Sequence, residues 1–411
     1  MLKNEDIVRF CNGHDYDLRK SHNGRWIDQK CTPDVIWSVS DFVLDYVDNI
    51  CNQFTVRNIW RSNYAKETIA ETFSKPGTDE KKAENEYDKV FSQPLCMLCY
   101  AGVLKDVSNT SRHLYEIENR DVLEYIAKND TYSLRFLCIY VEKVLRDSGL
   151  YPFFDAFFEN QDKSHFNRMK QAFVDFYHQY TPIKKDFEPK RIFIKVLNPI
   201  AFMLQKKGTR RGYMSKTPIT KADIMYNRDN FRDVYADKPK NITRKEWLDL
   251  HPKINIRNGY FEHQMTHSKK QLRKFIVEYR GNMSELTMFI DEHEDKSAPT
   301  QIHHIFPKNE FPTIMHYIEN LIALTPNQHF GFAHPNNNTQ MIDFSAQKVL
   351  LIAKTYSIKQ NLENENEDNI YEFANLLTVL SIGWDDKNVL GIAENDYADV
   401  LHSINYHYQT A

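Results

Sequence analysis

Between Val35 and Ile50 apolar residues return every three or four positions, at Val35, Ile36, Val39, Phe42, Val43, Tyr46, Val47 and Ile50. A stripe with that period is buried as one face of a helix, so the chain must pack a helix on a core near its beginning. Thr32 stands where an N-cap belongs, and Pro33 suits the first turn. The pattern returns from about Val56 to Phe73. After a turn at Lys75-Pro76-Gly77 it runs again from about Lys82 to Tyr100, where Pro94 is expected to kink the helix. Thr131 to Ser148 presents Leu134, Leu137, Tyr140, Val141, Val144 and Leu145, and Gly149 is placed to end that helix. With 12 glycines and 15 prolines among 411 residues, few long loops are expected. The predicted fold class is α+β and predominantly helical.

Two stretches break the helical period. Val103 to Val107 and His113 to Ile117 read as short strands around a Ser-Asn-Thr-Ser turn, which makes the preceding helices winged-helix-like. In such a unit Arg57, Arg61, Lys66, Lys89 and Arg112 would touch phosphate, although a helical scaffold with solvated charges explains them equally well. Further on, Ile192, Ile194 and Val196 alternate like a strand before a basic loop holding Lys206, Lys207, Arg210 and Arg211. That loop suits a phosphate backbone, and so does a second patch on an expected helix, Lys269, Lys270, Arg273 and Lys274. The length allows two or three domains. The expected division is a helical recognition region at 1–185, a basic middle region at 186–290, a catalytic module at 291–360, and an acidic linker with a helical tail at 361–411.

The net charge of −3 supplies no global attraction to nucleic acid, so binding of that kind must rest on local patches. The start of the chain has no apolar core segment and no run approaches the ~18 apolar residues of a membrane span. A cytoplasmic protein with no membrane partner is expected, its six cysteines reduced. Cys96 and Cys99 form a lone C-x-x-C read as core packing. Asp28-Gln29-Lys30 has the D-x-K form of PD-D/E-x-K nuclease metal sites, but no clear partner acid stands on a preceding strand, and a polar turn before the Thr32 helix explains it as well.

Chemistry concentrates in QIHHIFPKNEFPTIMHYIENLIALTPNQHFGFAHPNNN. His303 and His304 are adjacent at the end of an expected strand and so point to opposite sides. Asn320 opens a second short strand, ENLIAL. Thr325 and Gln328 form a capping-box pattern with Pro326 at the first helical position, which puts His329 on a helix's first turn. Strand, strand, helix with histidines on the outer elements is a sensible cation site.

This segment resembles the HNH, or ββα-metal, nucleases, over roughly 35 residues. Their pattern has a metal ligand, a general-base histidine, a proline three residues on, a middle asparagine, and a second ligand nine residues later. Those places hold His303, His304, Pro307, Asn320 and His329. The resemblance implies that His304 takes a proton from water and that His303 and His329 hold one divalent metal. It further implies that Asn320 ties the intervening loop, and that DNA is cut to 5′-phosphate and 3′-OH ends. Many HNH sites carry aspartate where this chain has His303. The implied metal is magnesium, with manganese, nickel or zinc admitted by the softer imidazole pair. His334 is available as a further ligand or phosphate contact, and His316 reads as structural.

RWIDQKCTPDVIW, NIWRSNYAKETIAETFSKP, and RIFIKVLNPIAF with YNRDNFRD resemble bacterial Type II restriction endonucleases with a C-terminal HNH domain. That likeness implies double-stranded DNA as substrate, a cognate methyltransferase in the same system, and at least transient homodimers. Two alternatives stay open: an antiphage or toxin nuclease of low sequence specificity acting on DNA or RNA, or a non-catalytic DNA-binding protein with a structural metal site.

Overall fold

The computed structural model describes residues 2–73, 84–109, 112–226, 250, 256–290, 295, 297–333, 343–364 and 366–410. The expected turn at Lys75-Pro76-Gly77, the YNRDNFRD segment from Asn227 onward, and His334 lie outside them. The described chain is predominantly helical with three two-stranded antiparallel sheets, and no described helix is long and apolar enough to cross a membrane. It divides into two compact units, Leu2–Ile256 and Arg257–Ala411.

At the centre of the first unit is the helix Pro33–Asn49, which buries Val35, Ile36, Val39, Phe42, Val43 and Tyr46. Ile50 falls beyond its last turn and is exposed. Thr32 takes the extended N-cap backbone, but its side chain accepts no capping hydrogen bond. Asp34, the second residue of the helix, is buried and accepts the Tyr226 N–H with both oxygens, at 3.0 and 2.9 Å. The expected helix from Val56 to Phe73 is two helices, Val56–Trp60 and Asn63–Thr72. Glu84–Tyr100 contains Pro94, and β1 (Leu104–Asp106) and β2 (Tyr115–Ile117) form the expected hairpin. Asp130–Asp147 is capped by Asn129, whose side chain accepts from Thr131 and Tyr132, and is followed by Gly149 at φ +74°. All six cysteines are free.

Two local expectations are corrected. Ile192, Ile194 and Val196 lie on a helix, Phe187–Met203. The alternation is incidental, because Phe193, Leu197 and Ile200 are buried with Ile192 and Val196 and complete a helical stripe. The basic loop is a hairpin, β3 (Lys207–Arg210) on β4 (Tyr213–Pro218). Its tip, Arg211 at φ +54° and Gly212 at φ +83°, has the two left-handed residues that suit a tight turn. Buried Asn198 clamps this hairpin to the helix, donating to the Thr209 carbonyl and accepting from the Thr209 N–H, both at 2.9 Å.

The expected boundary near 185 falls inside this unit, since Ile192 to Ala201 share its core. The second unit likewise exceeds the expected 291–360 module. Its core joins Leu272, Phe275 and Ile276 of the helix Ile256–Tyr279 to the strands β5 (Gln301–His304) and β6 (Leu321–Leu324) and to helices Phe344–Glu363, Phe373–Trp384 and Tyr397–Thr410. Buried polar bonds span the same length: Lys354 pairs with Glu285 at 2.7 Å, and Arg280 grips Glu367 with two bonds of 2.7 Å. The segment read as an acidic linker therefore supplies an internal ion pair.

Candidate active site

β5 and β6 run antiparallel with His303 opposite Ile322 and His304 opposite Leu321. Glu285 anchors the pair from behind, its carboxylate accepting the Ala323 N–H at 2.9 Å. Strand alternation sends the two histidines apart. The His303 ring lies beside that of His329, with centroids 5.3 Å apart and planes at 74°. His304 instead turns toward the loop between the strands, where its Nε2 is 3.1 Å from the Met315 carbonyl.

That carbonyl can only accept, so Nε2 carries the proton and the lone pair of the neutral ring sits on Nδ1. Burial lowers the His304 pKa to about 4, and the nearby positive charge of Lys269 and Lys308 adds to the fall. The imidazole is therefore neutral over the ordinary pH range and can accept a proton.

Asn320 ends a short turn, Ile318–Asn320, one residue before the strand. It is fully buried and makes three bonds across the loop. Its Oδ1 accepts the Phe306 N–H at 2.8 Å, and its amide donates to the carbonyls of Phe306 at 3.0 Å and Ile314 at 3.3 Å. The loop that presents Met315 to His304 is thereby held to the end of β5. Gln347 adds a bond to the Ile305 carbonyl at 2.8 Å.

His329 follows a capping box. The Gln328 N–H donates to the Thr325 hydroxyl at 3.2 Å, and the Thr325 N–H donates to the Gln328 side chain at 3.1 Å. Gln328 also donates to Thr287 at 2.7 Å, which ties the turn to the rest of the unit. Two imidazoles side by side suit a borderline divalent cation such as nickel or zinc better than magnesium, which prefers oxygen ligands. Among the described residues no third His, Cys, Asp or Glu completes a cluster of three with them.

The structure brings His303, His304, Asn320 and His329 into one neighbourhood and adds Lys269, Lys308 and the Met315 carbonyl. In the sequence Lys269 groups only with a surface patch. It is partly buried, which lowers its pKa, and Lys308 and Arg273 add to that. The lysine after Pro307 and the carbonyl donated by the loop carry no sequence signal, since each acts only through the folded loop. Lys270, Arg273 and Lys274 are on the same helix, with Lys274 3.8 Å from Glu278.

In the first unit the hairpin cations divide. Arg210 is committed to Asp223 by bonds of 3.0 and 2.6 Å, while Lys206, Lys207 and Arg211 enter no such pair among the described residues. Arg57 and Arg61 share Glu84, at 2.6 and 3.3 Å. His316 stacks on Phe261 with centroids 4.8 Å apart. Comparison with family models, curated proteins and solved structures finds no match to this chain.

Proposed function

We propose that the chain is a metal-dependent DNA endonuclease working in the HNH manner, and that its role is that of a Type II restriction enzyme. One observation carries the reading. His304 is held by the Met315 carbonyl in the tautomer that leaves Nδ1 basic, within a loop locked by Asn320, while His303 on the opposite side of the strand meets His329. His304 accepts the proton of the attacking water at Nδ1. The Met315 carbonyl keeps the ring oriented through that transfer, and Asn320 keeps the carbonyl in place. Lys269 and Lys308 bring positive charge close to His304. His303 and His329 are the residues to hold the cation, which when bound supplies polarisation of a phosphate oxygen and neutralisation of the leaving 3′-oxygen.

The decisive experiment is incubation of the protein with plasmid DNA and magnesium or manganese. Discrete fragments support a site-specific endonuclease. A smear supports a nuclease of low specificity, and intact plasmid under all metals would overturn the enzyme reading.

A further inference from the structure

The unit Leu2–Ile256 holds a cavity of about 920 Å³ that the catalytic reading does not use. Four parts of the chain converge on it: the segment Arg25 to Lys30, the helix Glu84–Tyr100, the helix Phe187–Met203, and the β3–β4 hairpin with Met225 and Tyr226 beyond it. Its wall carries seven cationic side chains and four carboxylates, in a chain whose net charge is −3.

The carboxylates are already neutralised. Arg25 bonds to Asp28 at 2.7 Å and to Glu188 at 2.8 Å, Lys30 bonds to Glu86, and Arg210 grips Asp223 at 3.0 and 2.6 Å. Lys89, Arg191, Lys195 and Arg211 are left with no acidic partner within reach among the described residues. Arg191 lies over the Phe187 ring at 4.0 Å. Lys195 is partly buried and, among the described residues, has neither an ion pair nor a hydrogen bond. Burial draws its pKa down to about 8, opposed by the more distant Asp34 and assisted by Lys30.

Lys89 and Arg211 are exposed, but Arg191 and Lys195 are half-buried, and taking unpaired cations partly out of bulk water is unfavourable unless something returns the lost charge interaction. A metal does not fit, because every acid on the wall already faces a cation. An apolar ligand does not fit either, since Ile194 and Met225 are the aliphatic side chains on the wall among 18 lining residues. The charge surplus matches a multiply charged anion, and two guanidinium forks with two ammonium groups suit phosphate oxygens. The volume exceeds what one phosphate needs and lies within the range of small-molecule sites. The Gln29 amide, which makes no side-chain hydrogen bond among the described residues, adds a group able to read a heterocycle.

We propose that this cavity binds a phosphate-bearing ligand of nucleotide size, with Lys195 and Arg191 as its principal phosphate contacts and Lys89 and Arg211 at the rim. The shared chemistry is a nucleotide with more than one phosphate group, whether free or as part of a DNA strand. The Asp28-Gln29-Lys30 segment is then part of a ligand-binding wall and not a second metal centre.

The test uses the full chain with a chelator present, so that its result is independent of cleavage. Pyrophosphate, ADP and a short single-stranded oligonucleotide are each titrated by calorimetry into wild type and into K195M/R191Q. Saturable binding of at least one probe is expected, weakened about tenfold or more in the variant, as for loss of charged hydrogen bonds. Binding of pyrophosphate and ADP identifies a free nucleotide as the source. Binding of the oligonucleotide alone identifies a DNA strand. Should K195M/R191Q not fold, R191Q alone must still weaken binding, because Arg191 is not a core residue. Absence of binding by all three probes, or unchanged affinity in the variants, overturns the proposal.

Discussion

His304 is the residue at which the catalytic reading is most exposed to test, because its neighbours settle both its tautomer and its charge. H304A removes the base while leaving the His303–His329 pair and the basic surfaces in place. Cleavage should fall by at least about 10²-fold with DNA affinity nearly unchanged; parallel loss of binding in a folded protein would refute the assignment. H303A and H329A should each weaken metal affinity and cleavage together, since either leaves one imidazole for the cation. Manganese titration calorimetry reads this directly, and equal affinity in both variants and wild type would sink the ligand assignment. Glu319, next to Asn320, bears on stability instead. It is buried, with Oε1 accepting the Glu372 N–H at 2.8 Å and Oε2 without a partner among the described residues. Burial pushes its pKa from 4.5 up to about 7. Between those values the folded state keeps a proton that the unfolded chain has released, so stability falls as pH rises from 4.5 through 7 and stays lower above. E319Q should remove that component, on the order of 3 kcal/mol between about pH 5 and 8. Denaturant midpoints at the two pH values check it: wild type should lose more than E319Q, and equal losses would show that Glu319 does not titrate in this window.

At the scale of elements, the hairpin β3–β4 separates cations that the sequence presents as one basic run. Arg210 is bonded to Asp223, Thr217 and the Pro218 carbonyl, so it serves the hairpin itself. Replacing Lys206, Lys207 and Arg211 by alanine should flatten the slope of log DNA affinity against log salt by about 0.9 for each phosphate left without its cation. R210A should instead lower the melting temperature; an unchanged salt slope in the triple variant would place the hairpin away from DNA. The same hairpin shows where sequence reading reaches its limit. Helices with a full apolar stripe, such as Pro33–Asn49 and Asp130–Asp147, are legible because their period is local. The helix Phe187–Met203 is not, because Ile192, Ile194 and Val196 satisfy a two-residue period inside a helical one, and only burial of Phe193 and Leu197 decides between them. Most of the candidate site is legible, since it lies within one short stretch whose spacing sets its geometry. The approach of Lys269 to His304 is hidden, and so is the cavity of the first unit. Those depend on approaches such as Lys30 to Tyr226, 196 residues apart in sequence, which no local pattern announces. Boundaries are hidden for a related reason: Lys354–Glu285 and Arg280–Glu367 join segments 69 and 87 residues apart into one core.

For the whole molecule, the proposed function sets a problem of number, since the described residues offer one candidate centre. On that proposal one His304 supplies one base and the His303–His329 pair one cation site, so a single chain would attack one strand at a time. In the D-x-K segment Asp28 is bonded to Arg25 and Lys30 to Glu86 and Tyr226, and among the described residues no three His, Cys, Asp or Glu gather there as a metal cluster. Cutting both strands of DNA therefore takes two copies of the protein, or one copy that repositions between cuts. A restriction role favours two copies, since a lingering nick can be resealed before the second cut. Mixing H304A protein with wild type distinguishes the routes. If two copies act together on one site, mixed pairs cut one strand only, and the share of nicked circles should rise with the fraction of inactive partner. If one copy repositions, inactive protein competes for sites and slows all products equally. In that case the nicked share stays constant across the mixture series, and pairing is excluded as the route to a double-strand break.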